Sequence, residues 1–392
     1  MHTNYELLQE LFEAYFEARR NKRNTVCQLL FELDYENRLV ALAKAIDERS
    51  YRPERSICFV VDKPVKREIF AAGFVDRVVH HLLYRQLAPL FTPYFIHDSY
   101  ACLEGKGTLF GVERLEHHIR SCSENYRYDC YILKLDIQGY FMSIDRSILF
   151  KKLSRHINAK WENYRGTDKK CCMHWLDKET LFFLLEQVIF CDVTANCIIK
   201  GNPSDWEGLP ADKSLFNARE GCGLPIGNLT SQLFSNIYLN DFDHFVKRIL
   251  KMKHYGRYVD DFYIVHRDKN TLRELLPVIR QYLKEEIGLT LHPHKIVLQD
   301  VRKGIVFLGM TMKPYRRYAG RRIEANFNNM LKRTHEEGVS DFEKLAASVN
   351  SYLGIMKHSR AYSLRRKIVH RNLWIFQYGW MRNDYLKFCS VT

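Results

Sequence analysis

The chain has 392 residues, 46% of them hydrophobic, and carries 60 Lys plus Arg against 46 Asp plus Glu, a formal net charge of +14. That hydrophobic content supports sizeable cores and excludes a disordered or collagen-like chain, while the cationic excess points to a phosphate-rich partner that is bound with counterion release. No run of 18 apolar residues is present, so no membrane partner is expected. Eleven scattered cysteines without CxxC spacing, including adjacent Cys171 and Cys172, read as reduced, mostly buried thiols.

Residues 4–20 carry Leu7, Leu8, Leu11, Phe12, Tyr15 and Phe16 on one side, followed by Arg19, Arg20, Lys22 and Arg23. This spacing predicts an amphipathic helix closed by cations. Glu6, Glu10 and Glu13 give it the wrong charge for a signal peptide, so a soluble, cytoplasmic protein is expected. A second helix is predicted over 35–48, before Pro53 breaks the pattern. Tyr131, Ile132, Leu133 and Leu135 then read as a buried strand that ends on Asp136, and Asp145 as the N-cap of a helix over 146–153. The stretch 158–221 reads as an insertion, helical over 178–189 and looped where Gly201, Pro203, Gly208 and Pro210 fall. Three further helices are predicted over 326–337, 340–357 and 362–377, with Ser340 and Glu343 as a capping box. From position 316 onward 15 Lys or Arg stand against 6 Asp or Glu, so cationic charge concentrates at this end. There Arg316, Arg317, Arg321 and Arg322 lie among Tyr315, Tyr318 and Ile323, which suits either nucleic-acid backbone and base contacts or a solvated basic loop.

The densest chemical signal lies at 254–265. Tyr258, Val259, Phe262, Tyr263, Ile264 and Val265 read as two short strands, with Asp260 and Asp261 as the polar turn between them. Two carboxylates at a hairpin tip are either an Asp-rich turn or a magnesium platform, since Mg²⁺ takes one or two carboxylates and fills its other positions with water and phosphate oxygens. Asp136 is in turn either a helix N-cap or a third acid of the same site. Three such acids would suit two ions about 3.5 to 4 Å apart, the arrangement that activates an attacking oxygen and stabilises a leaving one in phosphoryl transfer.

Together, Asp136 and Tyr258-Val259-Asp260-Asp261 resemble the strand-borne Asp and the YxDD hairpin of reverse transcriptases. Residues 63–91 resemble that family's first fingers motif and 99–115 its second. Residues 223–241 resemble the fourth motif, 292–298 the sixth and 304–310 the primer-grip strands, all in the family's order. The resemblance implies an α+β right-hand polymerase. An N-terminal helix and fingers would occupy 1–130, a palm with an antiparallel sheet 131–157 and 223–315, a fingers or palm insertion 158–222, and a basic helical thumb 316–392. It also implies RNA-directed DNA synthesis from deoxynucleoside triphosphates with two Mg²⁺ ions, Mn²⁺ being a substitute, on template RNA and an RNA/cDNA duplex.

The same resemblance assigns catalysis and metal binding to Asp136, Asp260 and Asp261, and places Ile137 in both the metal and nucleotide sites. Lys295 matches the sixth-motif lysine that protonates departing pyrophosphate. Phe141 matches an aromatic gate under the incoming sugar, or is an ordinary core aromatic. Arg77 and Lys106 match fingers contacts to triphosphate or template, though a solvated surface charge is the commoner role of a lone Lys. Gly139 and Gly227 would let backbone approach the nucleotide closely, and Gln232 belongs to the same nucleotide-binding group.

Most reverse transcriptases carry Gln-Gly in the fourth motif and close it with Ser-Pro, whereas this chain reads Ile226-Gly227-Asn228-Leu229-Thr230-Ser231-Gln232. That form resembles the polymerases of diversity-generating retroelements, as does 351–366. A Gln at position 226 can hydrogen-bond a nucleotide and an Ile cannot, so discrimination should weaken; alternatively Ile226 merely packs beneath the nucleotide. The resemblance implies errors directed to adenines in cDNA copied from a template-repeat RNA. It also implies a small, basic, helical, oligomeric accessory variability protein as partner. The competing readings are a retron-type or phage-defence reverse transcriptase and a catalytically idle RNA-binding scaffold. Clustered Asp136, Asp260 and Asp261 argue against the scaffold, because unused like charges repel.

Overall fold

The computed structural model describes residues 5–20, 25–62, 65–164 and 176–391. Helix α1 (Tyr5–Arg19) forms where the apolar spacing predicts it and buries Leu7, Leu11 and Tyr15; Lys22 and Arg23 lie outside the described residues. Helix α2 (Val26–Glu32) is unpredicted. Its Val26, Leu29 and Leu30 are exposed and only Phe31 of its apolar residues is buried, so no clean stripe marks it. Helix α3 (Tyr35–Asp47) ends one residue short of the expected boundary. Strands β1 (Ile57–Val61) and β2 (Arg67–Ala71) pair antiparallel and lead into α4 (Phe74–Phe91) and α5 (Thr108–Cys122).

Strand β3 (Tyr131–Asp136) is followed by the single turn α6 (Tyr140–Ser143). Helix α7 (Arg146–Tyr164) opens on Asp145, whose Oδ1 accepts the Ile148 amide at 2.9 Å; the cap is as predicted, but the helix runs past 153 into the stretch read as an insertion. Helix α8 (Lys178–Ile189) has its predicted bounds and is capped by Asp177. Strand β4 (Ile198–Ile199) then pairs in parallel with β1, so the insertion extends the β1–β2 sheet.

Helix α9 (Leu229–His244) runs on through a π-helical turn to the hairpin of β5 (His254–Tyr258) and β6 (Asp261–His266). Helix α10 (Lys269–Ile287) is opened by Asp268, which accepts two amides, and stopped by Gly288 in the left-handed region. Between those signals Leu272, Leu275, Ile279, Leu283 and Ile287 form its buried stripe. With β7 (Val297–Asp300) the strands make one antiparallel sheet in the order β5-β6-β3-β7. The two-residue period sends Leu133, Leu135, Phe262 and Ile264 into the main helical core and Ile132, Tyr263 and Val265 into a second core with α5. Each fully buried side chain of this size contributes about 1.5 to 3 kcal/mol, so the sheet between the two cores is held on both faces.

Strands β8 (Ile305–Phe307), β9 (Met310–Lys313) and β10 (Arg316–Ala319) form a second antiparallel sheet. Arg316, Arg317 and Tyr318 therefore lie on a strand, not a basic loop. Helices α11 (Arg321–Glu337), α12 (Phe342–Met356) and α13 (Tyr362–Arg371) share a separate core built on Phe327, Leu331, Val349, Leu353 and Ile368. The cap of α12 is Asp341, which accepts the Lys344 amide at 2.9 Å, in place of the expected Ser340. Beyond α13 the predicted helix gives way to a 3₁₀ turn and the unpredicted hairpin of β11 (Gly379–Arg382) and β12 (Lys387–Ser390). The whole is the α+β architecture with an antiparallel palm-type sheet implied by the sequence. No helix among the described residues is long and apolar enough to cross a membrane. The nine described cysteines are free and four of them are buried, fewer than expected; Cys171 and Cys172 lie outside the described residues.

On α4, Asp76 is buried and accepts hydrogen bonds from the Tyr51 hydroxyl at 2.7 Å and the Glu54 amide at 2.9 Å. Burial pushes its carboxyl up from 3.8 to about 6. Because the folded value lies above the unfolded one, the stabilising contribution is complete below pH about 4 and is lost as pH rises through 6, about 3 kcal/mol in all. Urea unfolding across pH 4 to 7.5 should show that fall in the wild-type minus Asp76→Asn difference; a flat difference would contradict it.

Candidate active site

The β5–β6 pairing sets Tyr258 opposite Asp261, so the connecting turn consists of Val259 and Asp260. The sequence reading, which puts Asp260 and Asp261 together in the turn, is off by one: Asp261 is the first residue of β6. This shift matters, because the β3–β6 register then sets Asp261 directly opposite Asp136. Asp260 follows at the tip, and its carbonyl accepts the Ile137 amide at 3.3 Å.

Val259 has φ 57, a left-handed conformation that β-branched residues avoid and that costs about 1 to 3 kcal/mol. Two-residue hairpins with positive φ at the first loop position ordinarily place Gly there. The strained turn is held from beneath by Arg257, whose Nη1 donates to the Val259 carbonyl at 2.9 Å. Arg257 is itself fully buried and donates to both oxygens of buried Asp243, at 2.8 Å from Nε and 2.6 Å from Nη2. The Tyr255 hydroxyl reaches Asp243 as well, at 2.6 Å. Burial disfavours the guanidinium charge, yet Asp243 holds it above its ordinary value.

Burial raises Asp260 to about 6, with the Asp136 charge adding to the effect. Burial also raises Asp261 to about 6, against the pull of Lys134, whose Nζ lies 3.1 Å from Asp261 Oδ2. Asp261 Oδ1 is buried and makes no hydrogen bond among the described residues. Lys295 Nζ lies 2.9 Å from Asp136 Oδ1, placed there by a turn that begins at His292, whose amide donates to the Asp136 carbonyl at 2.8 Å.

Among the described residues no three carboxylate, imidazole or thiol groups converge closely enough to form a ready metal cage. Two of the acids are instead neutralised by lysines. The donor set nonetheless fits a hard cation: Asp136 and Asp261 face each other across paired strands with Asp260 next in sequence, and one buried oxygen of Asp261 is left unsatisfied.

The remaining predicted residues divide by position. Ile137 is buried directly after Asp136. Phe141, half-buried, and Ile226 both pack against a small core of Cys58, Phe70, Met142 and Leu215, at the junction of the β1–β2 sheet with α6. Gly139 and Gly227 do permit close approach, but to protein. A Cβ at Gly139 (φ +53) would lie 2.6 Å from the Asp212 carbonyl oxygen, and one at Gly227 (φ +129) 3.0 Å from that of Phe70. The Phe70 amide in turn donates to the Ile226 carbonyl at 2.9 Å, strapping this loop to β2. Gln232 is exposed on α9. Arg77 donates from Nε to the Ala72 carbonyl at 3.0 Å, and Lys106 to the carbonyls of His97 and Ser99 at 2.8 and 3.2 Å. Both cations thus brace local backbone, and burial lowers the pKa of each. Sequence reasoning missed Lys134, Arg257 and Asp243. Lys134 had a signal, since the two-residue period puts it on the same strand face as Asp136; the Arg257–Asp243 pair had none, being joined only through the fold.

Among solved structures the chain is similar to telomerase from Candida albicans in complex with a fragment of telomeric RNA, at 13% identity over 88% of this chain and 61% of that one, TM-score 0.43. It is also similar to apo telomerase from Candida tropicalis, at 11% identity over 83% and 59% of the two chains, TM-score 0.49. A form of that protein truncated from its C-terminal domain gives 13% identity over 66% and 53%, TM-score 0.47. The chain therefore spans less than two thirds of each of these telomerase chains. No curated protein matches it. Residues 61–312, more than half of the chain and containing Asp136, Asp260, Asp261 and Lys295, match the family model for reverse transcriptase (RNA-dependent DNA polymerase). The chain belongs to the reverse transcriptase family.

Proposed function

We propose that this protein is an RNA-directed DNA polymerase of the diversity-generating retroelement kind, extending a primer with deoxynucleotides along template RNA and misincorporating at adenines. The observation that carries the polymerase reading is the register of Asp136 against Asp261, with Asp260 on a strained turn beside them. Asp136, Asp260 and Asp261, with Ile137, would hold two Mg²⁺ ions, which when bound activate the primer hydroxyl and stabilise the leaving pyrophosphate. Lys295, hydrogen-bonded to Asp136, would hand a proton to that pyrophosphate. Phe141 would exclude a 2′-hydroxyl below the sugar, and Gly227 and Gln232 would belong to the nucleotide site. Arg77 and Lys106 would contact triphosphate or template once released from the backbone carbonyls they now hold. Residues 1–130 would serve as N-terminal helix and fingers, 131–157 and 223–315 as palm, 158–222 as a fingers or palm insertion, and the basic 316–392 as a thumb on the RNA/cDNA duplex.

The subfamily reading rests on Ile226. Its side chain packs in an apolar cluster with Phe70 and Met142 and offers the nucleotide no hydrogen bond, so a mispair forfeits little there. A small, basic, helical, oligomeric accessory variability protein is the partner this reading carries. Sequencing cDNA made on a defined RNA template tests it. Errors should concentrate opposite template adenines, and Ile226→Gln should lower their rate by about tenfold, the scale of one net hydrogen bond. Accurate wild-type product would move the protein to a retron-type polymerase.

A further inference from the structure

We propose that Lys134 is a positioning residue for Asp261, one that fixes the carboxylate for catalysis and limits how tightly an ion is held there before nucleotide arrives. The inference rests on the reading of Asp261 as an ion ligand. Lys134 stands two residues before Asp136 on β3, opposite Tyr263 of β6 and Val297 of β7. Its ammonium lies 3.1 Å from Asp261 Oδ2 and 5.7 Å from the centroid of the Phe307 ring, an ion pair joined by a cation–π contact. Phe307 is fully buried on β8 and packs edge-on against Tyr263 at 5.2 Å, which leaves the lysine little freedom to swing away.

The consequence for Asp261 is asymmetric. One oxygen is held by a cation and the other, Oδ1, is buried without a partner. The carboxylate is thus restrained in rotation, with one oxygen left unsatisfied. A resident positive charge beside an ion seat also repels any arriving cation, more strongly in a half-buried site than in water. Lys295 performs a similar neutralisation on Asp136, but its side chain is 46% exposed and free to leave, whereas that of Lys134 is 26% exposed and packed against an aromatic.

Opposite effects on binding and turnover distinguish this role from a structural one. The test measures free Mn²⁺ by electron paramagnetic resonance in titrations of the full chain without nucleic acid, alongside primer extension and thermal melting. Lys134→Met should tighten Mn²⁺ binding about fivefold, as loss of a nearby like charge requires, while kcat falls about tenfold through loss of a fixed carboxylate. Lys134→Arg, which keeps the charge, should return Mn²⁺ affinity close to the wild-type value. Unchanged or weaker Mn²⁺ binding in a Lys134→Met protein with an unaltered melting temperature overturns the proposal. If Met does not fold beside Phe307, Lys134→Gln gives the same reading. Asp261→Asn separates the two levels: Mn²⁺ affinity equal to wild type would overturn Asp261 as a ligand, and the Lys134 role with it.

Discussion

Asp243→Ala is expected to lower the unfolding free energy by about 3 to 5 kcal/mol, because it strands a buried guanidinium without its counter-charge. Arg257 and Asp243 are both fully buried, and the carboxylate also accepts the Tyr255 hydroxyl. Arg257 further reaches Asn236 Oδ1 at 3.3 Å and Ser99 Oγ at 3.4 Å, while its own amide and carbonyl pair with Asp98 and Tyr100. One side chain thereby joins the segment at Asp98 to Tyr100, α9 and the β5–β6 hairpin. Substituting both partners with apolar residues, Arg257→Met with Asp243→Leu, should recover much of the stability, since no charge is then left unpaired. Activity should not recover with it, because nothing then holds the Val259 carbonyl and its strained turn. Urea unfolding and primer extension on the single and double variants check both halves; a double variant as active as wild type would show that the turn needs no support.

Lys295→Met is expected to reduce single-nucleotide incorporation by about 10² to 10⁴-fold, the range attributed to a positioned general acid. The alternative is that Lys295 serves only as a counter-charge to Asp136, 2.9 Å away. Lys295→Arg separates the two, because a guanidinium keeps the charge but does not release a proton in proteins. Recovery of turnover in the Arg variant would assign Lys295 a purely electrostatic role. Continued loss, with deoxynucleotide KM little changed, supports proton donation. Rapid-quench kinetics at saturating nucleotide supply both numbers.

Much of this architecture was legible from local patterns. Asp145 marks the start of α7, and the apolar run before Asp136 reads correctly as a buried strand, since capping chemistry and burial act over a few residues. The hairpin was misplaced by one because Asp is a turn former and Val a strand former, so propensity favours the wrong residue for the turn. Arg257 beneath the Val259 carbonyl overrides that preference. Strand β10 escaped notice because Arg316-Arg317-Tyr318-Ala319 has no apolar alternation; it is a strand through pairing with β9. The β11–β12 hairpin was obscured in the same way, its loop set by positive φ at Asn383, Asp384 and Tyr385. In the site, the three acids were visible as residues and so was Lys295, the partner of Asp136, but the partners of Asp261 and of the supporting Arg257 went unrecognised. The strand period puts Lys134 on the face of Asp136, but its pairing with Asp261 needs the β3–β6 register, and Arg257 meets Asp243 only through tertiary packing that no short window encodes.

The most direct measurement is cDNA synthesis by the purified chain from a primed RNA template with Mg²⁺ and deoxynucleotides, comparing wild type with Asp260→Ala plus Asp261→Ala. The account predicts DNA product from the wild type and a loss of at least about 10³-fold in a double variant that still melts cooperatively, as removal of electrostatic transition-state stabilisation requires. Equal product from both proteins, or none from the wild type even with a cognate RNA and an accessory protein supplied, would contradict it.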